Sequence, residues 1–249
     1  MIPEIRRVGQ RSTLAAQAKQ EAFGDFLVAH LGENYTWAYD AGTLRFESDR
    51  GVIQCDTFPV ASVAVEPATL LWRWQPLGDD PGFNPTAAHG FRSFGEEHGL
   101  SSFTTEQVPY DVGAEQVSTI VRVCHDVIAA GYEIFGLGAT FYSAPFNKAG
   151  SRLVLALENF RDANGPLTVP VPELNDVLPK LARLVAEVDD EEWSLAGLVQ
   201  HFPIEDCVIE RFIPERRTVA TFQRREGGEL VVTVERDQHG FVSYTRVTG

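Results

Sequence analysis

The chain has 249 residues, 44% hydrophobic and 22% charged, enough for one large core or two modest ones. Its 21 Lys and Arg stand against 35 Asp and Glu, and the net charge of −14 repels phosphate backbones, which argues against nucleic acid as a partner. No apolar run approaches the roughly 20 residues that span a bilayer, and the opening MIPEIRRVGQRSTLAAQAKQ lacks the apolar stretch of a signal peptide, so no membrane is expected. Cys55, Cys124 and Cys207 are widely spaced and form neither a CxxC pair nor a disulfide framework, which points to a reducing cytoplasm.

In chain order, residues 10–31 read as a helix, with Leu14, Ala18, Phe23, Phe26, Leu27 and His30 at three- and four-residue spacing. Four strand-like segments follow: YTWAYD, TLRFES, VIQCDTFPVASVAV and ATLLWRWQ. Pro59 is expected to bulge or break the third, because it has no N–H for the ladder. The loop PLGDDPGFNP leads to a helix over 85–98, opened by Asn84-Pro85 and closed by Gly99. A further helix over 113–130 ends at Gly131, and the strands YEIFGLGATFYS and RLVLALENF come next. The order predicts an α+β fold, with helices packed on one face of an antiparallel sheet.

RDANGPLTVPVPE reads as a linker, its limits taken as 163–173 after a first unit of 1–162. The tail, 174–249, is a smaller αα-ββββ unit: helices near 173–187 and 190–201, then the strands CVIERFI, RTVATFQR, ELVVTVER and FVSYTRV. Glu226-Gly227-Gly228 and Gln238-His239-Gly240 supply hairpin turns. Whether its sheet stands apart or packs onto the first unit is left open by a linker of that length.

The pieces WAYDAGTLRFESDRGV, ATLLWRWQP, SFGEEHGLSSFTTEQVP and ATFYSAP resemble a bacterial family of domains of unknown function. The most recognisable parts are the W-x-W strand and the Gly95–Gly99 turn, and the resemblance covers about residues 10–160. It implies domain limits and a soluble cytoplasmic protein. It transfers no activity and no catalytic residue.

Chemistry is therefore sought residue by residue. Trp72 and Trp74 stand two apart on a strand and share a side, opposite Leu71, Arg73 and Gln75. They read either as core under a helix, or as an aromatic pocket wall with Trp37, Tyr39, Phe141 or Tyr142 opposite and Arg73 near its rim. His89, beside the Gly- and Pro-rich loop, is the histidine chosen if one is functional. Cys124-His125-Asp126 does not make a site, because neighbours on a helix point about 100° apart. GLGAT lacks the third glycine and the following helix of a dinucleotide cradle, and no P-loop, G-x-S-x-G or zinc spacing is present. No cofactor, metal or catalytic residue is expected. The sequence reading is a non-enzymatic binding protein offering a protein partner an acidic surface, through Asp79, Asp80, Glu96 and Glu97, with toxin neutralisation as its concrete form. The alternative is a small-ligand domain built around Trp37, Trp72, Arg73, Trp74, His89 and Tyr142.

Overall fold

A computed structural model describes all residues except 41, 75–83, 113–115, 148–149 and 187, and the side chains of 116 and 182 are not described either. The first element, α1 (Pro3–Leu31), starts seven residues before the helix expected from periodicity. Pro3 opens it with a φ already suited to a first turn, and Glu4 faces the positive helix end. Its early residues escape an apolar pattern because the side they bury is partly polar: Gln10, Ser12 and Lys19 are as buried as Leu14 and Ala18.

Strands β1 (Thr36–Asp40), β2 (Thr43–Ser48), β3 (Gly51–Ala64), β4 (Thr69–Trp72) and β5 (Gln107–Pro109) follow in antiparallel order, with helices α2 (Thr86–His98) and α3 (Ser101–Thr104) between the last two. After α4 (Gln116–Phe135) come β6 (Thr140–Pro145), β7 (Arg152–Asp162) and the short β8 (Gly165–Pro166). The long β3 organises this sheet. β7 runs along one edge of it, while β2 and β4 share the other, beside its first and last parts. The ladder with β7 slips between Pro59 and Ala61, the bulge that a proline inside a strand calls for.

Side-chain alternation sorts the sheet residues into two clusters. Leu153, Leu155 and Leu157 of β7 join Phe46, Ile53 and the C-terminal half of α1, through Phe23, Phe26 and Leu27. Val154, Val63 and Phe141 instead join α4, α2 and the N-terminal half of α1.

The helix α4 does not stop at Gly131. It runs to Phe135 and ends at Gly136, whose φ of +74° is the left-handed conformation that closes helices. Gly131 is a packing residue, since a β-carbon there would lie 2.6 Å from the Phe141 ring. Residues 132–135, expected as strand, are thus helix, and the strand begins at Thr140.

The stretch after β7 is held down rather than free: Leu167 N donates to Phe160 O (2.7 Å) and Lys19 Nζ to Pro170 O (2.8 Å). Beyond it lie α5 (Leu174–Val177), a 3-10 turn (Leu178–Lys180), α6 (Leu181–Ala186) and α7 (Glu191–His201). A second antiparallel sheet follows, ordered β12-β11-β10-β9, from β9 (Ile204–Phe212), β10 (Arg217–Arg224), β11 (Glu229–Arg236) and β12 (Val242–Thr248). Leu198, Phe222, Leu230 and Val232 belong to the same buried cluster as Leu14 and Val127. The result is a mixed α+β fold with two antiparallel sheets. Among the described residues no helix is long and apolar enough to cross a membrane.

Candidate functional site

The W-x-W stretch straddles the end of β4. Trp72 is 2% exposed, packs at 5.2 Å from the Phe91 ring and 5.7 Å from Phe103, and donates Nε1–H to Ser102 O at 2.8 Å. Trp74 lies past the strand, half-buried, with Nε1–H on Ala88 O (3.1 Å) and the Arg92 guanidinium 5.1 Å from its ring centre. Arg73 between them is buried. Trp37 and Tyr142 meet each other, ring centres 6.3 Å apart, in the other cluster against Phe46. The structure thus parts the residues named for an aromatic wall into two groups. His89 is exposed on α2. Glu96 and Glu97 are exposed on the same helix, Glu96 paired with Arg92 at 2.9 Å, and Asp79 and Asp80 lie outside the described residues.

A groove of about 870 Å³ opens elsewhere, on the sheet side that faces α4. Its floor is one cross-strand row, Phe58–Ala156–Phe141, because β3, β7 and β6 pair in that register. Phe135, the last residue of α4, forms one wall and is 41% exposed. The start of α2 forms another, fixed by Asn84, whose Oδ1 accepts from Thr86 N (3.0 Å) and Thr86 Oγ1 (2.6 Å). Pro166–Val169 closes the far side, held by the Leu167–Phe160 bond and by Lys19. Thr140, Thr168 and Asn159 bring hydrogen-bonding groups, and Glu158 is the charged side chain among the described lining residues. The phenylalanines offer an apolar surface, and a few polar groups at its rim can fix the orientation of a guest.

A second polar cluster ties α1, α4 and α7 together. Ser12 donates its hydroxyl proton to Glu133, and its oxygen lies 2.7 Å from His201 Nε2. With that single proton spent, the imidazole nitrogen is the donor to Ser12. Burial lowers the His201 pKa to about 4, with Arg11 adding to the effect, so the ring is neutral near pH 7. Burial raises the Glu133 pKa, against the Ser12 hydrogen bond and Arg11, whose Nε sits 3.0 Å from the carboxylate. Serine, histidine and a carboxylate meet here, but the serine bridges the other two, whereas a nucleophile relay needs the histidine in the middle. Neither Ser12 nor His201 meets solvent appreciably, their relative exposures being 1% for the residue and the side chain respectively. The cluster is a helix weld.

The neighbouring contacts are of the same kind. Arg6 pairs with Asp126 (3.0 Å) and Asp189 (2.5 Å), and Arg7 with Asp190 (2.6 Å). The guanidinium carbons of Arg7 and Arg11 lie 4.2 and 4.8 Å from the Trp193 ring centre, and Trp193 Nε1–H donates to Arg7 O. Burial pushes the Asp126 carboxyl up to about 6 despite Arg6. Neither the groove nor this weld carries a local sequence signature, because each gathers residues from distant segments.

Comparison with known proteins matches the chain to a family of unknown function (DUF6882) over residues 6–160. No curated protein and no solved structure matches the chain. The matched span runs from the first turns of α1 to the body of β7, and so includes the floor of the groove and α4. The chain belongs to this family of unknown function, DUF6882, with the α7 and β9–β12 unit lying beyond the matched residues.

Proposed function

We propose that this protein is a binding module for a small, mostly apolar molecule, held in the groove over Phe58, Ala156 and Phe141. The observation that carries the reading is the groove itself: about 870 Å³, within the roughly 300–1,000 Å³ range of small-ligand sites, with apolar walls and a few polar groups. Phe135 and Phe58 leave apolar surface open to solvent that a guest would cover. Glu158 biases the choice toward neutral or cationic molecules and against acids. The ligand class is that of the sequence alternative, but the residues are not the W-x-W pair, whose indole N–H groups are both spent on backbone carbonyls. Three unpaired cysteines support a cytoplasmic location.

The test is native mass spectrometry of the chain isolated gently from its own host. The expected result is an added mass of a few hundred daltons that disappears in Ala156→Phe, a change that fills the floor. A bare wild-type protein, or an adduct indifferent to Ala156→Phe, sinks the reading.

A second reading, an acidic face for a basic protein partner, is favoured by the net charge of −14 and by the exposed Glu97 beside Glu96. Association of that kind weakens steeply with salt. A co-purifying polypeptide that stays bound at high salt would contradict it.

A further inference from the structure

Three guanidinium groups gather at one end of the C-terminal sheet. The turn joining β9 to β10 and the turn joining β11 to β12 lie side by side there, over the start of α7. Arg236 N donates to Arg216 O at 3.0 Å, and Arg216 Nη1 to Asp237 O at 2.7 Å. A cavity of about 480 Å³ opens between them, lined by Glu191, Arg211, Ile213, Arg216, Thr218 and Arg236, with Gly240 at its rim. Glu191 is set into its base. Arg236 grips Glu191 Oε2 through Nε (3.1 Å) and Nη2 (2.7 Å), and Thr218 Oγ1 donates to Oε1 at 3.1 Å.

One carboxylate against three arginines leaves two positive charges in this cavity, in a molecule whose net charge is −14. Arg211 is well exposed; it lies 3.4 Å from the half-buried Glu192 and also acts on Asp190, contacts that offset only part of its charge where its side chain meets water. Arg216 holds φ at +49°, a left-handed conformation that costs a non-glycine residue on the order of 1 kcal/mol. Its two bonds to Arg236 and Asp237 keep it there and aim both turns at the same cavity.

We infer that this cavity binds a compact oxyanion carrying at least two negative charges, a phosphate ester or a dicarboxylate. Glu191 shows the recognition chemistry in place, a carboxylate in an arginine fork with a hydroxyl donor beside it. The guest sits above it, between Arg216 and Arg211, with Arg236 beneath. The site lies beyond residues 6–160 and does not rest on the groove reading.

Isothermal titration of the full chain at low ionic strength tests this, with inorganic phosphate and succinate as separate probes and chloride at matched ionic strength as the baseline. At least one probe is expected to bind with one site per chain. Arg216→Gln should weaken it about tenfold, the size of one charge-assisted hydrogen bond. Glu191→Gln, which lifts the opposing charge, should tighten it several-fold. Arg45→Gln, at an exposed pair with Glu47 on β2, should change nothing. Binding of phosphate alone assigns a phosphate ester, and of succinate alone a dicarboxylate. The inference is overturned if neither probe exceeds the chloride baseline, or if Arg45→Gln costs as much as Arg216→Gln.

Discussion

Lys19 is fully buried on α1, and the partner of its ammonium among the described residues is the Pro170 carbonyl at 2.8 Å. Burial lowers its pKa to about 8, from an ordinary value of 10.5. The unfolded chain therefore binds more protons than the folded one between about pH 8 and 10.5, and across that window Lys19 makes folding more favourable as pH rises. The gain is on the order of 3 kcal/mol. Burial raises the Cys55 and Cys124 thiols, to about 12 and about 11, and they act in the opposite sense at high pH. The difference between wild type and Lys19→Met cancels them. Urea unfolding of both proteins from pH 7.5 to 10.5 should show wild type gaining on the variant throughout; parallel curves would mean that folding does not lower the Lys19 pKa. Asp126, raised to about 6, works the other way at low pH: stability falls as pH rises from about 4 to 6 while this carboxyl loses its proton.

Helix contacts supply a sharper contrast between two glycines of similar local setting. At Gly197, on α7, a β-carbon would collide with the Arg11 carbonyl of α1, which is backbone and cannot swing aside. Gly24, inside α1, has open space around it. Gly197→Ala should then cost at least 2 kcal/mol by forcing the helices apart, whereas Gly24→Ala should stabilise by about 0.5–1 kcal/mol through helix propensity alone. Thermal midpoints moving the same way for both would refute the contrast. The difference also explains which elements were legible in the sequence. β2, β10 and β11 lie where strict alternation between turn residues puts them, glycines except for Pro214 before β10, because one side of each strand is buried and the other more open. The first two turns of α1 were invisible to the same reasoning, since Arg6, Arg7 and Gln10 are turned toward other helices rather than toward oil. Gly131 was misread as a helix end because a glycine kept for ring packing looks the same in sequence as one kept for its φ.

At the scale of the molecule, one buried cluster runs from Ile5 and Leu14 through Val127 to Leu198, Phe222 and Val234. Unfolding is accordingly expected as a single step. Emission from Trp37, Trp72 and Trp74 in the first unit and from Trp193 in the second can be separated with Trp→Phe variants, and their denaturant midpoints should coincide. Separate midpoints would make the β9–β12 unit an independent domain. Neither the groove nor the arginine cavity was legible at this scale, and for a physical reason. Total charge averages over surfaces, so −14 conceals both a groove walled by phenylalanine and a cavity holding three arginines. The groove floor joins residues nearly 100 positions apart, and only β-sheet register puts Phe58 beside Ala156.

The weld between Ser12 and His201 joins residues 189 positions apart, and this has a consequence for birth on the ribosome. Synthesis delivers α1 first and α7 only after three-quarters of the chain. The side of α1 bound for α4 is covered midway, once Asp126 and Glu133 emerge to meet Arg6 and Arg11, while Arg7 and the face of Arg11 that Glu133 leaves open wait in water for Trp193. Arginines over that waiting surface keep it wetted and self-repelling, so a nascent chain three-quarters made carries a charged flank where an apolar one would invite aggregation.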